Sequence, residues 1–280
     1  MTDDPTGLGA MSDSALAVAL AEGAGRVLMS LRSEHETSDL DVRVLKDAGD
    51  RAAQTWLALA LASSRPSDAV LSEEAADDPA RLGADRVWII DPLDGTREFA
   101  ERNADGSWRD DFAVHVALWQ RGRGLGDGAV ALPARGIAQS TASTHRVTQC
   151  GSAEVLDDVR PLRVAASRSR PPAFVGALAE RDDVVLVPMG SAGVKVLSVV
   201  DGTTDVYIHG GGQYEWDSAA PVAVARAAGL VCTRLDGSAL EYNRESPWLP
   251  DLFVCDPFLA DRVRDLLASV GVVDRGGSHS

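Results

Sequence analysis

The segment Val87-Trp88-Ile89-Ile90-Asp91-Pro92-Leu93-Asp94-Gly95-Thr96-Arg97-Glu98-Phe99 constrains this chain more than any other. Four consecutive apolar residues read as a short buried strand, and the strand runs directly into two carboxylates at a turn. Carboxylates in that position project into solvent-accessible space. Pro92 fixes a backbone angle and removes a donor. Gly95 permits a tight turn, which leaves the Leu93 carbonyl pointing near both carboxylates. Two carboxylates and a carbonyl are hard oxygen ligands, suited to Mg²⁺ or Mn²⁺ and poor for zinc. The same residues also suit a plain Asp-Gly turn capped by Asp91, so the segment alone leaves both readings open.

What surrounds the strand is mixed. Ser12 or Ser14 can cap a helix from Ala15 to about Leu31. A second helical pattern runs from near Asp50 to about Leu61 and stops before Ser63-Ser64-Arg65-Pro66. The period then changes. Ala69–Leu71, Phe112–Trp119, Gly128–Leu132, Leu162–Ala166, Val184–Val187 and Val206–Ile208 read as strands, and the turn Gly122–Gly128 predicts a hairpin. Further helical patterns lie at Pro172–Ala179, Ala192–Val200, Ser218–Ala228 and Leu259–Val270. Residues 1–11 read as a loose arm and Gly276–Ser280 as a frayed tail. The succession points to layered α/β or α+β packing. One unit over residues 1–280 is expected, its halves of about 12–150 and 158–272 parting near Cys150 to Asp158.

Composition narrows the function classes. The 280 residues carry a net charge of −15, which argues against nucleic-acid polymers and anionic membranes as partners. It leaves phosphate substrates open, because a bound divalent cation reverses the local sign of an acidic site. Cys150, Cys232 and Cys255 are odd in number and widely spaced, which suggests reduced thiols in a cytoplasmic protein. The acidic start is unlike a signal peptide, and no apolar run approaches the roughly 20 residues of a membrane span. Gly122, Gly124, Gly126 and Gly128 do not make a dinucleotide fingerprint, and Gly190-Ser191-Ala192-Gly193 is not a nucleophile elbow. The twelfth position of the EF-hand-like start at Glu101 is Phe112, where a bidentate carboxylate is required. The five histidines are scattered. A nucleophilic-aspartate DxDxT loop is also absent, since Asp91 and Asp94 are three apart.

Two more acidic clusters flank secondary-structure ends. Leu71-Ser72-Glu73-Glu74 follows an apolar run, and Tyr214-Glu215-Trp216-Asp217-Ser218 opens a helix. Bare carboxylates repel, so convergence of all three clusters requires cations between them. Glu73-Glu74, Asp91-Pro92-Leu93-Asp94-Gly95-Thr96 and Trp216-Asp217, in that order, resemble the inositol-monophosphatase-like family of Mg²⁺-dependent, lithium-sensitive phosphatases. Asp94 to Phe99, Val70 to Glu74, Gly190 to Lys195 and Glu215 to Pro221 look like the CysQ-type 3′(2′),5′-bisphosphate nucleotidases, over about residues 13–270.

The resemblance implies a layered αβαβα sugar-phosphatase fold and a two-metal displacement by activated water. It implies that Glu73, Asp91 and the Leu93 carbonyl hold one Mg²⁺, and that Asp91, Asp94 and Asp217 hold a second. A third, weaker site lies near Glu73, and Mn²⁺ is a substitute. Thr96, assisted by Asp50, orients the water, with Glu73 in the catalytic set. The implied reaction hydrolyses adenosine 3′,5′-bisphosphate to AMP and phosphate, clearing a by-product of sulfate assimilation. Inositol monophosphate, fructose 1,6-bisphosphate and histidinol phosphate are rival substrates of the same chemistry, and a noncatalytic metal- or nucleotide-binding module is a rival class. A homodimer is compatible with this reading.

On the substrate side, Gly95, Thr96 and Asp217 face the phosphate in this reading. Lys195, one of two lysines, could form a phosphate cradle with Gly190 and Ser191, or be an exposed helix lysine. Arg97 could touch a phosphate or pair with Glu98. His209, before Gly210-Gly211-Gly212, could line a nucleoside pocket, whereas Trp216 reads as core. Residues 100–111 form a long charged loop that could serve as a lid or an interface.

Overall fold

Alternate side chains of the apolar run enter two different cores. A computed structural model describes residues 5–36, 41–143, 160–169 and 171–272. Within it, Asp13–His35 (α1) and Val42–Ser64 (α2) precede the first five strands: Ala69–Ser72 (β1), Arg86–Asp94 (β2), Ala113–Gln120 (β3), Gly124–Leu132 (β4) and Ile137–Ser140 (β5). They form one sheet in the order β1-β2-β3-β4-β5. β1 runs parallel to β2, and the other neighbours are antiparallel. Trp88 and Ile90 pack with α1 and α2 residues such as Leu20, Leu28 and Leu57. Val87 and Ile89 face the other way. Successive strand residues point to opposite faces, so a run apolar at every position needs cover on both sides.

The far cover comes from the rest of the chain. Thr96–Phe99 (α3) and Phe174–Ala179 (α4) are short helices, while Ala192–Val200 (α5) and Glu215–Ala227 (α6) fill the middle layer. Leu162–Ser167 (β6), Val184–Met189 (β7), Val206–Tyr214 (β8), Val231–Thr233 (β9) and Trp248–Cys255 (β10) make a second sheet in the order β7-β6-β8-β10-β9. One core joins Val87 and Ile89 to Val196, Val200, Val222, Tyr207 and Val254. A third core lies on the outer face of the second sheet, where Val164, Ile208 and Phe253 meet Leu178 of α4 and Val263 and Leu267 of Ala260–Ser269 (α7). The layers are therefore α, β, α, β, α, as the motif resemblance implied.

Several expectations need correction. Pro5–Ala10 is a 3₁₀ helix rather than a loose arm. α2 begins at Val42, capped by the Asp41 side chain, eight residues before the expected start. Val42 and Val44 are exposed there and only Leu45 and Gly49 are buried before Ala53, so the apolar residues of the first two turns do not read as a stripe. The hairpin is present, but Gly124 to Gly128 belong to β4, and a register shift between Ala117 and Trp119 absorbs the irregularity. Strands β5, β9 and β10 were not expected. β10 carries Pro250 at a register shift between Leu249 and Asp251, the place where a strand tolerates proline. The expected parting of the halves near Cys150 to Asp158, and the tail, lie outside the described residues.

Among the described residues, α1 is the one helix long and apolar enough to cross a membrane. Its Leu16, Leu20, Ala24 and Leu28 are instead fully buried in the core shared with Val114 and Val116. Its length and hydropathy thus serve packing on the first sheet.

Candidate active site

Asp91 and Asp94 are three residues apart on one strand, and regular alternation would send them to opposite faces. The β2–β3 register prevents this. Asp91 pairs with His115 and Asp94 with Ala113, with a register shift between. The extra residue is a bulge, which re-aims the following side chain. Gly95 then turns with φ 88° into α3, a left-handed conformation that disfavours any other residue. A methyl at Gly95 would also press on Phe112 at 3.3 Å.

α6 supplies the third carboxylate. Asp217 lies in its first turn and accepts the Tyr214 amide at 2.6 Å. One ligand oxygen from each of Asp91, Asp94 and Asp217 falls within 4.8 Å of the others. Glu73 follows β1, whose parallel register aligns Ser72 with Ile90, so Glu73 arrives beside Asp91. As a residue Glu73 is exposed and is not among the three whose oxygens lie within 4.8 Å of one another, but it feels their charge. Burial first, then the charges of Asp217 and Asp94, push it up to about 8. Burial first, then Glu73, Asp94 and Asp217, raise Asp91 well above the usual carboxylate range.

The donor set fits a hard divalent cation. Asp91 is 1% exposed. Its Oδ1 accepts the Leu93 amide at 3.0 Å, while its buried Oδ2 has no hydrogen-bond partner. A buried, unpartnered carboxylate oxygen is costly unless a cation takes it up. The three converging carboxylates offer hard oxygen ligands, which Mg²⁺ or Mn²⁺ suits.

A pH dependence follows. In the metal-free protein Glu73 ionises near 8 when folded, against 4.5 for its ordinary value. The unfolded chain therefore loses the proton first, and folded-state stability falls as pH rises across that window. A divalent cation held by these carboxylates would offset the penalty. The rise in melting temperature on adding MgCl₂ is expected to be larger at pH 8 than at pH 6, as differential scanning fluorimetry can read.

Thr96 and Asp50 meet as expected. The Thr96 hydroxyl lies 3.3 Å from Asp50 Oδ1 and 3.1 Å from the Leu93 carbonyl, both acceptors. Burial, then the Glu74 charge, pushes Asp50 up to about 7. The Leu93 carbonyl is thus tied to Thr96 at the edge of the cluster.

The residues expected to cradle phosphate are turned inward. Ser191 caps α5 by accepting the Val194 amide, and its hydroxyl donates to Asp94 Oδ2 at 2.5 Å. The Gly193 amide donates to the same oxygen at 3.0 Å. The Gly190 amide donates to Asp111 at 2.7 Å. Lys195 is not an exposed helix lysine. It is 5% exposed and its ammonium donates to the Gly190 carbonyl. Burial pulls its pKa down, against the opposing pull of Asp94, Glu98, Asp217 and Asp111. These donors organise carboxylates and a carbonyl instead of facing open space.

Other expectations fare unevenly. Arg97 is mostly exposed and pairs at 2.6 Å with Glu101, not with Glu98, which is buried. His209 Nε2 lies 2.8 Å from the Gly212 carbonyl. Trp216 is only partly buried against the middle core and stacks on exposed Tyr214 at 4.7 Å. Residues 100–111 are tied to the C-terminal end of α1. The Trp108 indole donates to Glu36 at 3.1 Å, and Arg102 lies 3.8 Å above the Trp108 ring.

One residue at the cluster was missed. His115 is fully buried and its Nε2 lies 3.3 Å from Asp94 Oδ2. The available signal was its place in Phe112 to Leu118, where it is the sole polar side chain in an apolar strand.

Residues 12–267 match the inositol monophosphatase family. A 3′-phosphoadenosine 5′-phosphate phosphatase of Mycobacterium leprae is 47% identical over 255 residues, covering 88% of this chain and 89% of the relative. The 3′(2′),5′-bisphosphate nucleotidase CysQ of Escherichia coli is 33% identical over 240 residues, 81% of this chain and 93% of its own. The crystal structure of CysQ from Bacteroides thetaiotaomicron superposes with a TM-score of 0.69 at 27% identity, covering 89% of this chain and 98% of that one.

Proposed function

The chain belongs to the inositol monophosphatase family of phosphomonoesterases, and on that premise we propose that it removes the 3′-phosphate of adenosine 3′,5′-bisphosphate, giving AMP and phosphate. The observation that carries this reading is the meeting of Asp91 and Asp94 from β2 with Asp217 from α6. The 47% identity to a 3′-phosphoadenosine 5′-phosphate phosphatase supports the choice of substrate. Glu73, Asp91, the Leu93 carbonyl, Asp94 and Asp217 would hold two Mg²⁺ ions, with Mn²⁺ as a substitute and a third ion near Glu73. Such ions supply water activation and neutralise charge on the phosphoryl group and leaving oxygen.

The chain's own residues orient and move the proton. The Thr96 hydroxyl gives its one proton to Asp50, whose carboxyl burial pushes up to about 7, and its oxygen then accepts the proton of the attacking water. Ser191 and the Gly193 amide hold one Asp94 oxygen, leaving the other for the cation. Gly95 lets the phosphate approach the α3 backbone, and Arg97 and His209 stay in the substrate set as peripheral contacts. Lys195 acts from behind the carboxylates, offsetting their charge. The described cysteines, Cys232 and Cys255, are buried thiols, in keeping with a cytoplasmic enzyme. Lithium sensitivity is proposed from the family. α6 packs against strands of both sheets, which supports treating residues 1–280 as one domain.

Phosphate release from adenosine 3′,5′-bisphosphate, inositol 1-phosphate, fructose 1,6-bisphosphate and histidinol phosphate tests the reading. The nucleotide is expected to have the highest kcat/KM, with strict dependence on Mg²⁺. Absence of Mg²⁺-dependent release from it overturns the proposal.

A further inference from the structure

His115 on β3 sits opposite Asp91 in the strand ladder and is fully buried. Its Nδ1 lies 3.2 Å from the Trp216 carbonyl. A carbonyl only accepts, so Nδ1 carries a proton and donates there. The same nitrogen is 4.0 Å from Asp91 Oδ2. The Nε2 end lies 3.3 Å from Asp94 Oδ2 but makes no hydrogen bond. One ring therefore touches Asp91, Asp94 and the residue immediately before Asp217.

Gly193 closes the space around that ring. A methyl at Gly193 would sit 2.2 Å from His115 Nε2, so only glycine lets α5 approach while its amide reaches Asp94. Nε2 is buried beside Asp94 Oδ2. Ser191, Gly193 and His115 together surround Asp94 Oδ2 from the protein side.

We infer that His115 is a positioning residue for the cation site. Its ring spaces Asp91 and Asp94 against the start of α6, so that the cation-facing oxygens of all three aspartates converge. The inference rests on the cation-binding reading above. Partners behind metal ligands typically change affinity by about 10–100-fold when lost.

The test is Mn²⁺ binding to the full chain, prepared metal-free and followed by electron paramagnetic resonance of free Mn²⁺. Thermal unfolding without cation is recorded for each variant. His115→Asn keeps an amide nitrogen near the Nδ1 position but falls short of Asp94, and is expected to weaken Mn²⁺ binding by about tenfold or more. His115→Gln carries its amide to the Nε2 position and is expected to recover most of that loss. Gly193→Ala displaces the ring and is expected to match His115→Asn, with little further loss when the two are combined. A merely structural histidine would lower the melting temperature and leave the Mn²⁺ Kd unchanged. Folded Asn and Ala variants that bind Mn²⁺ like the wild type overturn the inference, as does a Gln variant as weak as Asn. Should His115→Asn not fold, Gln binding near wild type against weakened Gly193→Ala upholds it, and equal binding in those two overturns it. Failure of the wild type to bind Mn²⁺ refutes the cation reading instead.

Discussion

Replacing Asp94 with asparagine is expected to lower kcat for adenosine 3′,5′-bisphosphate by at least about a hundredfold at saturating Mg²⁺. Its geometry gives a sharper reason than loss of charge alone. Asp94 Oδ2 accepts both the Ser191 hydroxyl and the Gly193 amide, and these donors will claim the one oxygen of the asparagine amide. The NH₂ group then faces the cation position, with the wrong polarity for a ligand. The metal-free variant should fold at least as well as the wild type, since a charge has been removed from a crowded cluster. Steady-state phosphate release and metal-free thermal unfolding, measured together, check both halves. A kcat close to wild type would contradict the ligand assignment.

Arg32→Ala is expected to destabilise the fold by about 3–4 kcal/mol, read from the urea midpoint. Arg32 on α1 is 3% exposed. Its guanidinium donates to the carbonyls of Phe99 (3.0 Å), Arg109 (2.9 Å) and Glu98 (3.4 Å). It also lies over the rings of Phe112, Trp108 and Phe99 at 4.6, 5.0 and 5.1 Å. Truncation strands those carbonyls and empties the aromatic cage. Lysine should restore little, because one ammonium cannot reproduce the planar fork. Since Arg32 secures the end of α3, directly after the metal motif, turnover should fall along with stability. A stability within about 1 kcal/mol of wild type would mean that water serves the carbonyls as well as arginine does.

Much of the site was legible because its signals are local. The apolar run at Val87–Ile90, the acidic turn after it and the acidic opening of α6 are patterns within a few residues, set by strand and helix periodicity. Other local signals misled for physical reasons. The first two turns of α2 bury only Leu45 and Gly49 while exposing Val42 and Val44, so their apolar residues do not mark one face. Composition left Lys195 open as a substrate contact or an exposed helix lysine; its burial, which removes the second reading, depends on β8 passing beneath it, with Tyr207 under the ammonium at 5.3 Å. His115 looked like one scattered histidine among five, because nothing in β3 alone reveals that α5 will close over it.

By itself the sequence determined the kinds of atoms available, hard carboxylate oxygens at strand and helix ends, and the both-sides burial that a layered fold supplies. Which oxygens face one another was decided by tertiary structure alone. The bulge between Asp91 and Asp94 depends on pairing with β3, Glu73 depends on the parallel β1 register, and Asp217 depends on α6 packing across the first sheet. Local periodicity says which face a residue occupies on its own element, whereas bringing a carboxylate at 217 to one at 91 requires the strand order and layer stacking of the whole chain.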